Sequence, residues 1–164
     1  MNAYQMATDW QGIPIPIDLM QVIADLAELS PSREPSSGQP SGTQDLDRYL
    51  YNVARLSKVS DELGYAALGR ACLIVREAIE ALRRREAPLS LQALRTLDTW
   101  VCLMRWHLEL PPGAGATEAL VNFLRLPPWD ASLDHVDAEA FAARLTQERR
   151  QTAVEEGHGA APRQ

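Results

Sequence analysis

The stretch from Tyr51 to Glu86, YNVARLSKVSDELGYAALGRACLIVREAIEALRRRE, constrains the fold more than any other part of the chain. Apolar residues recur in it at three- and four-residue steps on both sides of Leu63-Gly64, the spacing of one face of an α-helix. A glycine between two such segments can take the left-handed conformation that ends one helix and lets the chain re-enter the next. The stretch therefore reads as a helical hairpin. Leu46, Leu50, Val53, Leu56 and Leu63 mark the inner stripe of its first helix, and Leu68, Cys72, Val75, Ile79 and Leu82 that of its second. Charged residues between these positions read as solvated faces, with Arg83 and Arg84 at the end where cations suit the helix dipole.

The flanking sequence extends the helical pattern. Upstream, Ile13-Pro14-Ile15-Pro16 cannot be helical and reads as extended. Ile17 to Leu29 reads as a short helix with Leu19, Ile23 and Leu26 inward and with Pro16 and Asp18 suited to its first turn. Between it and the hairpin, Ser30 to Thr43 contains no hydrophobic residue and has the serine, proline and glycine composition of a flexible linker. Downstream, Pro88 closes the hairpin and Ser90 is placed to cap a helix from Leu91 to about Leu110. Leu94, Leu97, Val101, Met104 and Leu108 make one stripe on it, and Trp100, Leu103 and His107 a second, which places it at the bundle centre. A break at Pro111 to Ala116 leads to a short helix through Leu120, Phe123 and Leu124, ended at Pro127-Pro128-Trp129. Asp137 is expected to cap a last helix to about Val154, with Phe141 and Leu145 inward and a polar tail behind. No β-hairpin signal occurs. The expected fold is all-α: an antiparallel four-helix bundle with an extra short N-terminal helix and a C-terminal helix. Its expected divisions are 1–29 (extended segment and short helix), 30–43 (linker), 44–130 (bundle) and 131–164 (C-terminal helix and tail).

Composition narrows the functional classes. A chain of 164 residues, 46% of them apolar, supports one core. A net charge of -6 argues against a nucleic-acid binder, which presents a basic face to phosphates. No apolar run reaches the ~20 residues that cross a bilayer, and MNAYQMATDW lacks the basic start and apolar centre of a signal peptide, so a cytoplasmic location without membrane insertion is expected. Cys72 and Cys102 both fall in helical patterns among apolar neighbours and read as reduced, small hydrophobes. There is no phosphate-cradling glycine loop, no G-x-S-x-G elbow and no Glu-x-x-His pair. His107, His135 and His158 share no ligand spacing, and His107 reads as a structural histidine on a covered helix, with His135 in a loop and His158 in the tail. A non-enzyme without metal or cofactor is expected.

The hairpin from Val53 to Arg85 resembles the core of histidine phosphotransfer domains, most closely the N-terminal phosphotransfer domain of chemotaxis-type histidine kinases. In that family the first helix carries an alanine-histidine-x-x-lysine-glycine motif, followed by a hydrophobic-glycine turn and a second helix with a charged, arginine-containing end. The turn matches at Leu63-Gly64, and the second helix matches in length, stripe and basic end. The break at Ala87 to Ser90, the leucine-rich helix with Asp98 and the short helix after it match as well, so the similarity spans about half the chain. The motif itself departs. Anchoring on Leu63-Gly64 places Ala54 at the histidine position, whereas anchoring on Lys58 places Arg55 there. Neither a methyl group nor an always-protonated guanidinium replaces an imidazole nucleophile. The family's glycine becomes Lys58 or Val59.

What the resemblance implies is a pseudo-phosphotransfer adaptor in bacterial two-component or chemosensory signalling, binding a response-regulator receiver domain or a histidine kinase without carrying a phosphoryl group. Its candidate protein-binding surface is Tyr51, Ala54, Arg55, Lys58 and Glu62, at helical spacing on the first hairpin helix, with Arg55 and Lys58 complementary to an acidic receiver pocket. The alternative is a helical assembly or scaffold protein. It would self-associate or bind a partner helix, with the Trp10 to Leu29 segment and Trp129 as apolar anchors.

Overall fold

The computed structural model describes residues 15–29, 42–84, 91–111, 113, 115–127, 129 and 135–157. Six helices occupy them and no strand occurs among the described residues: α1 (Ile17–Glu28), α2 (Gly42–Glu62), α3 (Ala66–Arg84), α4 (Leu91–Glu109), α5 (Ala116–Leu124) and α6 (His135–Gly157). The fold is an all-α bundle. The IPIP segment before Ile15, residues 30–41 of the linker, the closing segment 85–90 with Pro88 and Ser90, and His158 lie outside the described residues.

The hairpin of α2 and α3 is the most extensive helix pair. Gly64 turns the chain with φ 83°. Its N–H donates to Asp61 O at 3.2 Å and the N–H of Tyr65 donates to Ser60 O at 2.8 Å, the two bonds of a Schellman motif. Farther from the turn the helices are tied by Ser57 Oγ donating to Gly69 O at 3.1 Å, then by an Arg83–Asp47 ion pair at 2.8 Å. These contacts step away from the turn in both directions, which defines an antiparallel pair. At the crossing α3 carries no side chain: a Cβ on Gly69 would stand 3.2 Å from Ser57 O and 2.5 Å from Asp61 Oδ1.

The two helices outside the central stretch are working parts of the core. α1 packs on both α2 and α4, and Leu19, Val22, Ile23 and Leu26 are each 0–2% exposed. Pro16 starts it, its carbonyl accepting from Leu19 and Met20 N–H at 3.1 Å. α6 packs on α5 and α3 through Ala138, Phe141 and Leu145. The principal neighbours thus run α1, α2, α3, α6, α5, α4 and back to α1, a closed ring around Tyr49, Leu56, Leu68, Ile79, Leu97, Trp100 and Leu108. α4 has both expected apolar stripes turned inward over most of their length: Leu97, Trp100, Val101, Leu103, Met104, His107 and Leu108 are buried, and Leu94 at the start is half-buried.

Several expectations need correcting. Leu63 leaves the inner stripe and is 37% exposed, because it follows the last helical residue in the turn that Gly64 reverses. Cys102 is exposed; it lies on the outer side of α4, whereas Cys72 is enclosed by the hairpin. Trp129 is no outward anchor: at 1% exposure it stacks on Phe123, ring centroids 6.0 Å apart. In the Trp10 to Leu29 segment, Leu19, Val22, Ile23 and Leu26 are turned into the core and Ile17 stays exposed, while Trp10 lies outside the described residues. α2 starts at Gly42, so the last two residues assigned to the linker are helical, and α6 starts at His135, which puts His135 in a helix and Asp137 in its first turn rather than before it.

Candidate functional site

Tyr51, Arg55, Lys58 and Glu62 form one exposed stripe along α2, one residue per turn. Tyr51 is 71% exposed, unusual for an aromatic residue in the middle of a long helix. Ala54 sits at the edge of the stripe and is half-buried. The stripe runs between two ion pairs to neighbouring helices: Arg55 reaches Asp25 of α1 at 3.3 Å, and Asp47 holds Arg83 of α3. Lys58 lies 3.7 Å from Glu62 one turn on. Both cations of the stripe therefore have an acidic neighbour. Exposed pairs of this kind contribute about 0–1 kcal/mol, so an incoming carboxylate displaces them at little cost. Ala54 presents a half-buried methyl group and Arg55 an exposed guanidinium.

A second polar arrangement lies at one end of the bundle and was not visible in the sequence. His107 is 2% exposed, and its Nδ1 is 2.9 Å from Thr117 Oγ1 in the first turn of α5. Arg149 of α6, 3% exposed, donates through Nη1 to the carbonyl of His107 and, at 3.2 Å, to that of Leu110. Its neighbour Glu148 accepts from Ala67 N–H at 2.6 Å. Adjacent residues of α6 thus place a cation on the C-terminal carbonyls of α4 and an anion on the N-terminal amides of α3. Each charge faces the helix pole that attracts it. Burial, with Arg149 as a second contribution, pushes the His107 imidazole down to about 4, so it is neutral at pH 7. Burial raises Glu148, and the Ala67 and Leu68 N–H groups work against that rise.

An apolar groove of about 420 Å³ runs between α1 and α4, lined by Ile15, Ile17, Met20, Ala24, Val101 and Cys102. Ile17 at its rim is 84% exposed, and Trp106, next to the groove residue Arg105, is 53% exposed. Among the described residues no group of three or more histidine, cysteine, aspartate or glutamate side chains is arranged to hold a metal ion, and no helix is long and apolar enough to cross a membrane.

The fold and these surfaces define an all-helical bundle with an aromatic and charged stripe on one helix and an apolar groove on another side. No family model, no curated protein and no solved structure matches the chain.

Proposed function

We propose that this protein is a non-catalytic, cytoplasmic adaptor that binds a receiver domain or a histidine kinase on the α2 face of its helical hairpin, in the manner of a phosphotransfer domain without its phosphoacceptor. The observation that carries this reading is the stripe itself: Tyr51, Arg55, Lys58 and Glu62 exposed in line on the first helix of an antiparallel hairpin with a leucine-glycine turn. Tyr51 offers a large contact surface at small entropic cost, and Arg55 and Lys58 offer charge to an acidic pocket. Ala54 and Arg55, at the position of the family's histidine, cannot accept a phosphoryl group, so binding without transfer is the chemistry that remains. The partner gains a docked surface and keeps its own phosphoryl group.

Titration of the purified protein against receiver domains from its own genome, each with and without a phosphoryl mimic, tests the reading. Saturable binding to one receiver, weakened by Arg55→Glu and Lys58→Glu, is expected. Absence of binding across the panel removes the adaptor reading.

The groove between α1 and α4 favours a second reading, an assembly protein that self-associates or takes a partner helix there. Its mark is a mass that rises with concentration in sedimentation and that Ile17→Glu returns to that of a monomer.

A further inference from the structure

α6 is held differently from every other helix of the ring. Its described apolar contribution is Ala138, Phe141 and Leu145 with Ala142 part-buried beside them, against eight buried residues on the shorter α3. Among its described residues two charged side chains add contacts at one end of the bundle: Glu148 on the first amides of α3, Arg149 on the last carbonyls of α4. Moving charged groups out of water costs several kcal/mol before their partners offset it, so such contacts hold a helix in register more than they stabilise it. α6 also follows the rest of the ring in the chain, and its principal contacts are with α3 and α5. It can leave without breaking the contacts of α1, α2, α3, α4 and α5 with one another. Helices with few apolar contacts are the ones that open below the global unfolding free energy.

The residue beneath the clasp is a histidine. Arg149 donates to the carbonyl of His107, and the His107 ring is packed against the first turn of α5 through Thr117. We propose that α6 is an acid-released clasp: it undocks as a unit when His107 takes up a proton, leaving helices α1 to α5 folded. A proton on His107 sets a second buried cation beside Arg149. The charged and titratable groups around the clasp are Arg149 facing His107, Tyr65 facing Arg149, and Asp61 facing Glu148.

The sign follows from linkage. His107 is held down at about 4 while α6 is docked, by burial and by Arg149, and loss of Arg149 lets it rise toward its ordinary 6.5, so docking is favoured above that ordinary value and weakened as pH falls. Glu148 acts in the opposite sense: burial raises its carboxyl while α6 is docked, which favours the docked helix as pH falls toward the ordinary carboxyl value. Glu148 therefore opposes the release that His107 drives.

Hydrogen exchange of the full chain, followed by peptide and corrected for intrinsic rates, tests this at about pH 7.5 and about pH 5.5. The opening constant of peptides in 138–150 is expected to rise at the lower pH, by up to the roughly tenfold that the two His107 values allow, while that of peptides in 51–62 stays unchanged. His107→Gln, which keeps a polar partner for Thr117, is expected to abolish the rise. Glu148→Gln, which keeps an acceptor for Ala67 N–H but no longer titrates, is expected to keep or enlarge it. Equal loss of protection in α6 and α2, no acid response in α6, or a full response in His107→Gln would each overturn the proposal. Should His107→Gln fail to fold, the wild-type and Glu148→Gln profiles decide the matter alone.

Discussion

Ser60 is fully buried on α2, yet its hydroxyl has no hydrogen-bond partner among the described residues. A buried hydroxyl without a partner carries its desolvation cost uncompensated, and alanine is the better helix former. Ser60→Ala is therefore expected to stabilise the protein by about 1 kcal/mol in urea unfolding; destabilisation would mean the hydroxyl has a partner. Ser57, one turn earlier, is the contrast: its hydroxyl donates to Gly69 O and belongs to the helix crossing. The two cysteines separate as sharply. Burial pushes the Cys72 thiol well above its ordinary range, whereas Cys102 is open to solvent. A thiol-reactive aromatic disulfide is expected to label one cysteine of the native protein and both after denaturation. Rapid labelling of Cys72 in the native state would show that the hairpin core opens readily.

For a helix, the decisive question is what it lies against, and the hairpin shows how two glycines answer it differently. Gly64 has open space around its absent Cβ but a positive φ, so Gly64→Ala meets only backbone strain, about 1 kcal/mol. Gly69 is helical and meets α2 directly. Gly69→Ala gains helix propensity of about 1 kcal/mol, and the exposed Asp61 carboxylate can turn away, so its net effect is expected to be small. Gly69→Val has no such escape from the Ser57 carbonyl and is expected to cost about 2–3 kcal/mol by overpacking the crossing. Thermal unfolding of the three variants ranks them. A neutral Gly69→Val would show that α2 and α3 can separate freely. The hairpin was also the most legible element. The period of Leu46 to Leu56 and of Leu68 to Ile79, and the glycine between them, located both helices and the turn. Leu63 broke the pattern because periodicity continues past a helix end that backbone hydrogen bonds decide. Arg149 was illegible for a deeper reason. Arginine is seldom buried, and what makes its burial tolerable is a set of carbonyls about forty residues away in the chain, near His107 and Leu110.

At the scale of the whole molecule, the sequence pattern identified an all-helical chain but not the order in which helices meet. Apolar stripes say that a face is covered, not by what. α1 illustrates the gap: short, and separated from the hairpin by a proline- and serine-rich stretch, it reads as an extra helix, while the structure places it between α2 and α4. Trp129 followed the same logic, read as an anchor for partners and found stacked on Phe123. The candidate stripe on α2 was named residue by residue from the sequence, but its setting, with Asp25 of α1 on Arg55, depended on that same unforeseen neighbour. Burying Leu19, Val22, Ile23 and Leu26 contributes about 1.5–3 kcal/mol for each side chain, a gross gain comparable to the whole stability of an ordinary domain. Removal of residues 1–29 is accordingly expected to abolish the cooperative thermal transition. Ile23→Ala alone is expected to cost 2–5 kcal/mol, near the size that removal of a buried isoleucine usually takes. A truncated chain that melts cooperatively with native helicity would return α1 to the status of an appendage.

The closed ring carries a consequence for the newly made chain. Contact between α1 and α4 waits until residues beyond 91 have been synthesised, and contact between α3 and α6 until those beyond 135. The ribosome thus releases a hairpin able to assemble early from neighbouring residues, flanked by a first helix whose apolar side has only part of its eventual cover. Until α4 emerges, Leu19, Val22, Ile23 and Leu26 are the residues a chaperone would find, and the protein's exposure to aggregation is set by how quickly translation crosses that interval.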